Sequence, residues 1–117
     1  MLALAVLLLG VSRPPAAYLN TGSAQVPLAI SSWCWGARCG APISASRRTA
    51  VAARGALVRV QLKFEPRRAR IAVAGAPATV STHGTELSFT ARRSGGLTVS
   101  VTGARGWVTY VGRLRVR

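Results

Sequence analysis

The sequence predicts an all-β protein: an antiparallel immunoglobulin-like β-sandwich of about seven strands, preceded by a signal-type apolar segment. Three observations predict it. Past Ala50, apolar residues recur at every second position, the pattern of half-buried strands. Turn residues interrupt the alternation at the short spacing of a sandwich. No stretch after Ala24 carries a helical apolar stripe. Half of the 117 residues are hydrophobic, enough for one small core and too many for a disordered chain.

The elements follow in order. Leu2 to Val11 is an apolar run about half the roughly 20 residues of a membrane span. It suits the apolar region of a secretory signal, and Gly22-Ser23-Ala24 supplies a small-x-small cleavage site. Residues 1–24 therefore read as a signal peptide or weak N-terminal anchor, and 25–117 as the sandwich domain. Val26–Ser31 is a leading strand. Ser44–Ala56 reads as a loop or a poor edge strand.

In "LVRVQLKF", Val58, Val60, Leu62 and Phe64 share one face and Leu57, Arg59, Gln61 and Lys63 the other. Glu65–Arg68 turns the chain, because Pro66 has no N–H for a ladder. Ile71 and Val73 point inward and Arg70 outward; Gly75–Pro77 turns again, and Ala78–Ser81 is a weak strand. Leu87 and Phe89 face in, with Glu86 opposite; Ala91–Gly96 is a loop. Leu97, Val99 and Val101 face in, and Thr102–Gly106 is tight. The last strand sends Val108, Tyr110, Leu114 and Val116 inward, and Trp107, Thr109, Arg113, Arg115 and Arg117 outward. Gly112, in mid-strand, marks a bulge or a close neighbour.

Charge is the strongest compositional signal. Sixteen basic residues, all Arg except Lys63, face two acids, a net charge of +14. Richness in Ala, Gly, Val and Arg fits a high-GC coding bias, yet the absence of Asp does not, since Asp has a GC-rich codon. A field of this sign favours polyanions: nucleic acid, anionic headgroups or acidic wall polymers.

Both cysteines lie in "ISSWCWGARCGAP", Ile30–Pro42. Cys34 and Cys39 lack the C-x-x-C spacing and following helix of a thioredoxin-type site. In an oxidising compartment, two cysteines and no third read as one structural disulfide. A zinc set from Cys34, Cys39, His83 and Glu86 has no supporting spacing. One His and no Asp rule out a Ser-His-Asp triad. His83 with Glu86 has no nucleophile motif, and no glycine-rich phosphate loop is present. The expectation is a non-enzymatic protein with no metal and no cofactor.

The layout resembles small, uncharacterised secreted or membrane-anchored proteins with an immunoglobulin-like domain from Gram-positive, especially actinobacterial, sources. The matching residues are Trp33-Cys34-Trp35 with Cys39 and Pro42, then Gly96–Val101 and Gly106–Tyr110. The chain departs from that pattern in its short Cys–Cys spacing and in having Gly40-Ala41 where an acid usually follows the second Cys. The resemblance implies a fold and a compartment, and no activity.

These readings converge on a secreted or membrane-associated, extracytoplasmic monomer that binds or braces the cell envelope. Arg59, Lys63, Arg70, Arg113, Arg115 and Arg117 are the expected contacts to an anionic wall polymer or membrane surface. No recognisable nucleic-acid module is present. Trp33 and Trp107 are expected aromatic contacts; they also carry the second reading, docking to an envelope protein through a Trp-bearing loop or edge.

Overall fold

Wherever apolar residues alternate, a strand forms, and the strands sort into two facing sheets. The computed structural model describes residues 13–45 and 48–117. The apolar run from Leu2 to Val11, read as an export signal, lies outside the described residues. The strands are β1 (Tyr18–Asn20), β2 (Gln25–Pro27), β3 (Ala29–Trp35), β4 (Arg38–Gly40), β5 (Ala50–Ala52) and β6 (Leu57–Gln61). They continue as β7 (Arg68–Val73), β8 (Ala76–Ala78), β9 (Ser81–His83), β10 (Glu86–Thr90), β11 (Gly95–Gly103) and β12 (Gly106–Val116).

The first sheet runs β2-β1-β6-β10-β9, antiparallel throughout. The second runs β4-β3-β12-β11-β7-β8, with β5 added in parallel along the last residues of β12. In immunoglobulin lettering β6, β10 and β9 take the places of B, E and D. Strands β7, β11 and β12 take those of C, F and G, with β8 as C′. The expected sandwich is therefore present. Strands β1 and β2 widen the first sheet beside β6, and β3 and β4 widen the second beside β12.

Among the described residues twelve strands form where about seven were expected, and sheet switching accounts for part of the excess. The leading strand breaks at Leu28, where the chain leaves the first sheet (β2) for the second (β3). The weak strand around Ala78–Ser81 breaks at Thr79-Val80, where the chain crosses back from β8 to β9. The Gly75–Pro77 turn is displaced by one residue. Ala74 and Gly75 form the two-residue loop, both at positive φ, and Pro77 sits in edge strand β8, where its missing N–H is tolerated.

The inward faces make one core. Val58 and Val60 of β6 and Leu87 and Phe89 of β10 meet Ile71, Val73, Leu97, Val99, Val101, Val108, Tyr110 and Leu114 from the other sheet, all buried. Each such aliphatic or aromatic side chain contributes about 1.5–3 kcal/mol on leaving water. Trp35 packs edge-on against Phe64, ring centroids 4.9 Å apart. Gly112 is explained by a close neighbour: a Cβ there would stand 2.7 Å from Leu28 Cδ2.

The folded region begins earlier than the expected boundary at Gln25. Pro14, Ala17 and Leu19 are buried. Strand β1 pairs on both sides, with β2 and β6. The Leu28 N–H donates to the Ala17 carbonyl at 3.0 Å. The hydroxyl of Tyr110, a fully buried side chain on β12, donates to the Pro15 carbonyl at 2.7 Å. Gly22-Ser23-Ala24 lies in the four-residue loop of the β1–β2 hairpin, where the Gly22 N–H donates to Asn20 Oδ1.

Candidate functional site

Alternation on the second sheet sends small polar residues and arginines outward. Register lines them up in rows. Cys34, Trp107, Thr102 and Arg68 stand side by side across β3, β12, β11 and β7. Ser32, Thr109, Ser100 and Arg70 form the next row on the same four strands. Further along β12 come Arg113 and Arg115, both exposed. Arg68 and Arg70 are two residues apart on one strand, as are Arg113 and Arg115, so each pair spans about 7 Å. Two strand spacings, about 10 Å, separate β7 from β12.

No strand of this sheet carries an acid. Both acids lie elsewhere: Glu86 on β10 of the first sheet and Glu65 in the link before β7. The hydroxyls of Thr98 and Ser100 line a shallow groove beside Arg70, bounded by Pro77 and Gly75. A second depression brings Arg48 and Arg113 together with Val111 and Pro27. Chemically this face offers exposed guanidiniums and hydroxyls with no carboxylate beside them. That arrangement attracts anions and repels cations.

The structure divides the six sequence-predicted basic contacts between the faces. Arg70, Arg113 and Arg115 lie on the outer face of the second sheet. Arg117 follows β12, its N–H bonded to the Ala52 carbonyl at 3.0 Å. Arg59 and Lys63 belong to the opposite side of the sandwich. Arg59 is paired with Glu86, Nε to Oε1 at 3.2 Å, and Lys63 Nζ stands 5.7 Å from the centre of the Tyr18 ring. Strand β7 adds Arg68, which opens the strand instead of closing the Glu65–Arg68 turn. The i, i+2 spacing of Arg68 and Arg70 is the signal that would have found it.

The tryptophans also part company. Trp107 is 41% exposed on the outer face. Trp33, expected as an aromatic contact, is 7% exposed. Its indole lies over Gly40, where a Cβ would overlap the ring, and its Nε1–H donates to the Ala41 carbonyl at 2.9 Å. Inward placement by alternation on β3 is the reason: Ile30, Trp33 and Trp35 bury while Ser32 and Cys34 face outward, a bulge shifting the register between Thr109 and Tyr110.

Cys34 and Cys39 are disulfide-bonded. They stand directly opposite one another on β3 and β4. The clip therefore closes a hairpin at the edge of the second sheet. It points to an oxidising, extracytoplasmic environment. His83 lies opposite Glu86 on the β9–β10 hairpin of the first sheet, at the other side of the sandwich from the cysteines.

Among the described residues no helix is long and apolar enough to cross a membrane. No protein-family model matches the chain, and neither a curated protein nor a solved structure matches it.

Proposed function

We propose that the protein is a non-enzymatic extracytoplasmic module, secreted or membrane-associated, that binds anionic wall polymers through the outer face of its second sheet. One observation carries this reading: Arg68, Arg70, Arg113 and Arg115 share a face whose strands hold no acid. A linear polymer bearing an anionic group every ~7 Å matches the spacing of each arginine pair. The flanking Thr and Ser hydroxyls supply hydrogen bonds without adding charge.

Retention on heparin or purified anionic wall material across a salt series tests the reading. Binding falls steeply with salt when counterions are released. Arg68→Ala with Arg70→Ala should lower the log–log salt slope by about two, one per lost contact. Arg59→Ala, on the far face and already paired, should leave the slope unchanged. Retention that ignores salt, or that falls equally with Arg59→Ala, overturns it. Vesicles of anionic lipid in place of the polymer show whether headgroups serve equally.

A second reading, docking of an envelope protein, rests on Trp107, one of two large hydrophobic side chains left exposed among the described residues. Under that reading Trp107→Ala abolishes capture of the partner, salt matters little, and the arginine variants are silent. Trp33 no longer supports it, being buried.

A further inference from the structure

We propose that the open edge of the sandwich, between β8 and the end of β10, binds a small amphiphilic carboxylate. Its apolar body lies between the sheets and its head meets Arg92 and Arg93. The cleft there has a volume of about 260 Å³, just below the roughly 300–1,000 Å³ of small-molecule sites. Its lining includes none of Arg68, Arg70, Arg113 and Arg115, so it stands apart from the face that meets the polymer.

Strand order opens this cleft. Strand β9 pairs with β10 only at Glu86, Leu87 and Ser88. Phe89 and Thr90, which complete β10, have no strand beyond them on that side. In the second sheet, edge strand β8 faces the gap with small side chains. Ala76 stands opposite Val73, and Ala78 opposite Ile71. Directly opposed residues share a face, so both alanines point inward with those core residues. Facing sheets pack about 10 Å apart, and two methyl groups do not fill that space. The floor of the cleft is therefore Phe89 and Val73, which belong to the core.

The rim is basic and held in place. Arg92 and Arg93 line the cleft and are exposed. Their loop is tied at both ends. The Ala91 N–H donates to the Ala56 carbonyl, and the Ala91 carbonyl accepts from the Gly55 N–H, each at 2.8 Å. Ser94 Oγ accepts from the Val116 N–H at 2.7 Å. Across the cleft, the β7–β8 turn is fastened by the Ala74 N–H on the Gly96 carbonyl at 2.9 Å. Thr79 and Thr90 add hydroxyls to the lining, and no carboxylate contributes to it.

These features define the ligand. Guanidiniums present planar donor forks that match a carboxylate. A cation is repelled, and a neutral body gains nothing from them. Phe89 and Val73 reward an apolar body that leaves water. The small volume admits a short chain and excludes a whole lipid.

The experiment is a titration of the folded, disulfide-bonded full chain with octanoate at monomeric concentrations, followed by backbone amide chemical shifts. Saturable shifts are expected at residues 73–79 and 89–93, around the cleft lining. Arg92→Gln with Arg93→Gln changes only an exposed loop and should weaken binding about tenfold or more, through loss of charge-assisted hydrogen bonds. Acetate lacks the body and octanamide the charge, so each should bind roughly tenfold more weakly or worse. Ala76→Leu should fill the cleft and abolish saturation; if that variant fails to fold, the arginine pair decides. No saturation with octanoate, equal binding of acetate or octanamide, or arginine variants that bind like the wild type overturns the proposal. Shifts centred on Arg68 and Arg70 also overturn it, by giving the anion to the outer face of the second sheet.

Discussion

At the scale of single residues, Tyr110 has the most consequences. Burial pushes its phenol pKa well above the ordinary value. The unfolded chain gives up that proton near pH 10 while the folded chain keeps it. Above that pH the unfolded state binds fewer protons, so stability falls as pH rises, by up to about 1.4 kcal/mol per unit from this group. Below it the contribution is fully present. Tyr110→Phe should abolish this alkaline slope in denaturant titrations at pH 9 to 11. At neutral pH the same change should cost about 1–3 kcal/mol, because the Pro15 carbonyl loses its donor. A second residue runs the other way. Ala74 sits at φ 51° in the first position of a two-residue hairpin loop, a conformation that costs a non-glycine residue about 1–2 kcal/mol. Ala74→Gly should stabilise the protein by about 1 kcal/mol, less the chain entropy that glycine adds to the unfolded state. A shift in denaturant midpoint at constant m-value measures it.

At the scale of elements, the disulfide hairpin is the testable unit. Closing a loop of this length contributes about 2 kcal/mol by chain-entropy arithmetic. Cys34→Ser with Cys39→Ser should lower stability by about that amount. The loss should appear first in hydrogen exchange of β3 and β4, since β4 is an edge strand held by β3 alone. Elements with clean alternation were legible in the residues. Strands β6, β10, β11 and β12 bury the side chains their period-two pattern assigns to the core, with Val116 at the end of β12 half-buried. Short elements were not. Strand β1 has three residues, too few for a period to show, and it follows an apolar run that mimics a continuing leader. Trp33 was misplaced for a related reason. The phase of a strand can be read only from several alternations, and β3 carries a bulge that resets it. Arginine positions on β7 and β12 could be read as outward. Which sheet they share, and that Arg59 faces the other way beside Glu86, depends on strand order, which local pattern does not encode.

At the scale of the whole molecule, charge is unevenly divided. The first sheet pairs Arg59 with Glu86, while the strands of the second carry arginines and no acid. A net charge of +14 on a chain of 117 residues works against compactness through self-repulsion. Screening should relieve it, with a Debye length near 10 Å at 0.1 M salt and near 30 Å at 0.01 M. The thermal midpoint should therefore rise between those two salt concentrations, and a multivalent anion that binds the cationic face should raise it further by mass action. A midpoint indifferent to salt would mean that the folded chain already spaces its charges as widely as the unfolded one.

Strand β12, the last of the described strands in chain order, is the hub of the second sheet. It is bonded to β3, β11 and β5, and its Tyr110 anchors the first described turn of the chain at Pro15. In vectorial synthesis β3 and β5 must wait for β12, whereas β1 meets β2 and then β6 earlier. The Cys34–Cys39 hairpin is the exception, being closed by neighbours five residues apart. An early, locally closed covalent clip and a second sheet that completes only when β12 has been made are thus written into the order of the strands.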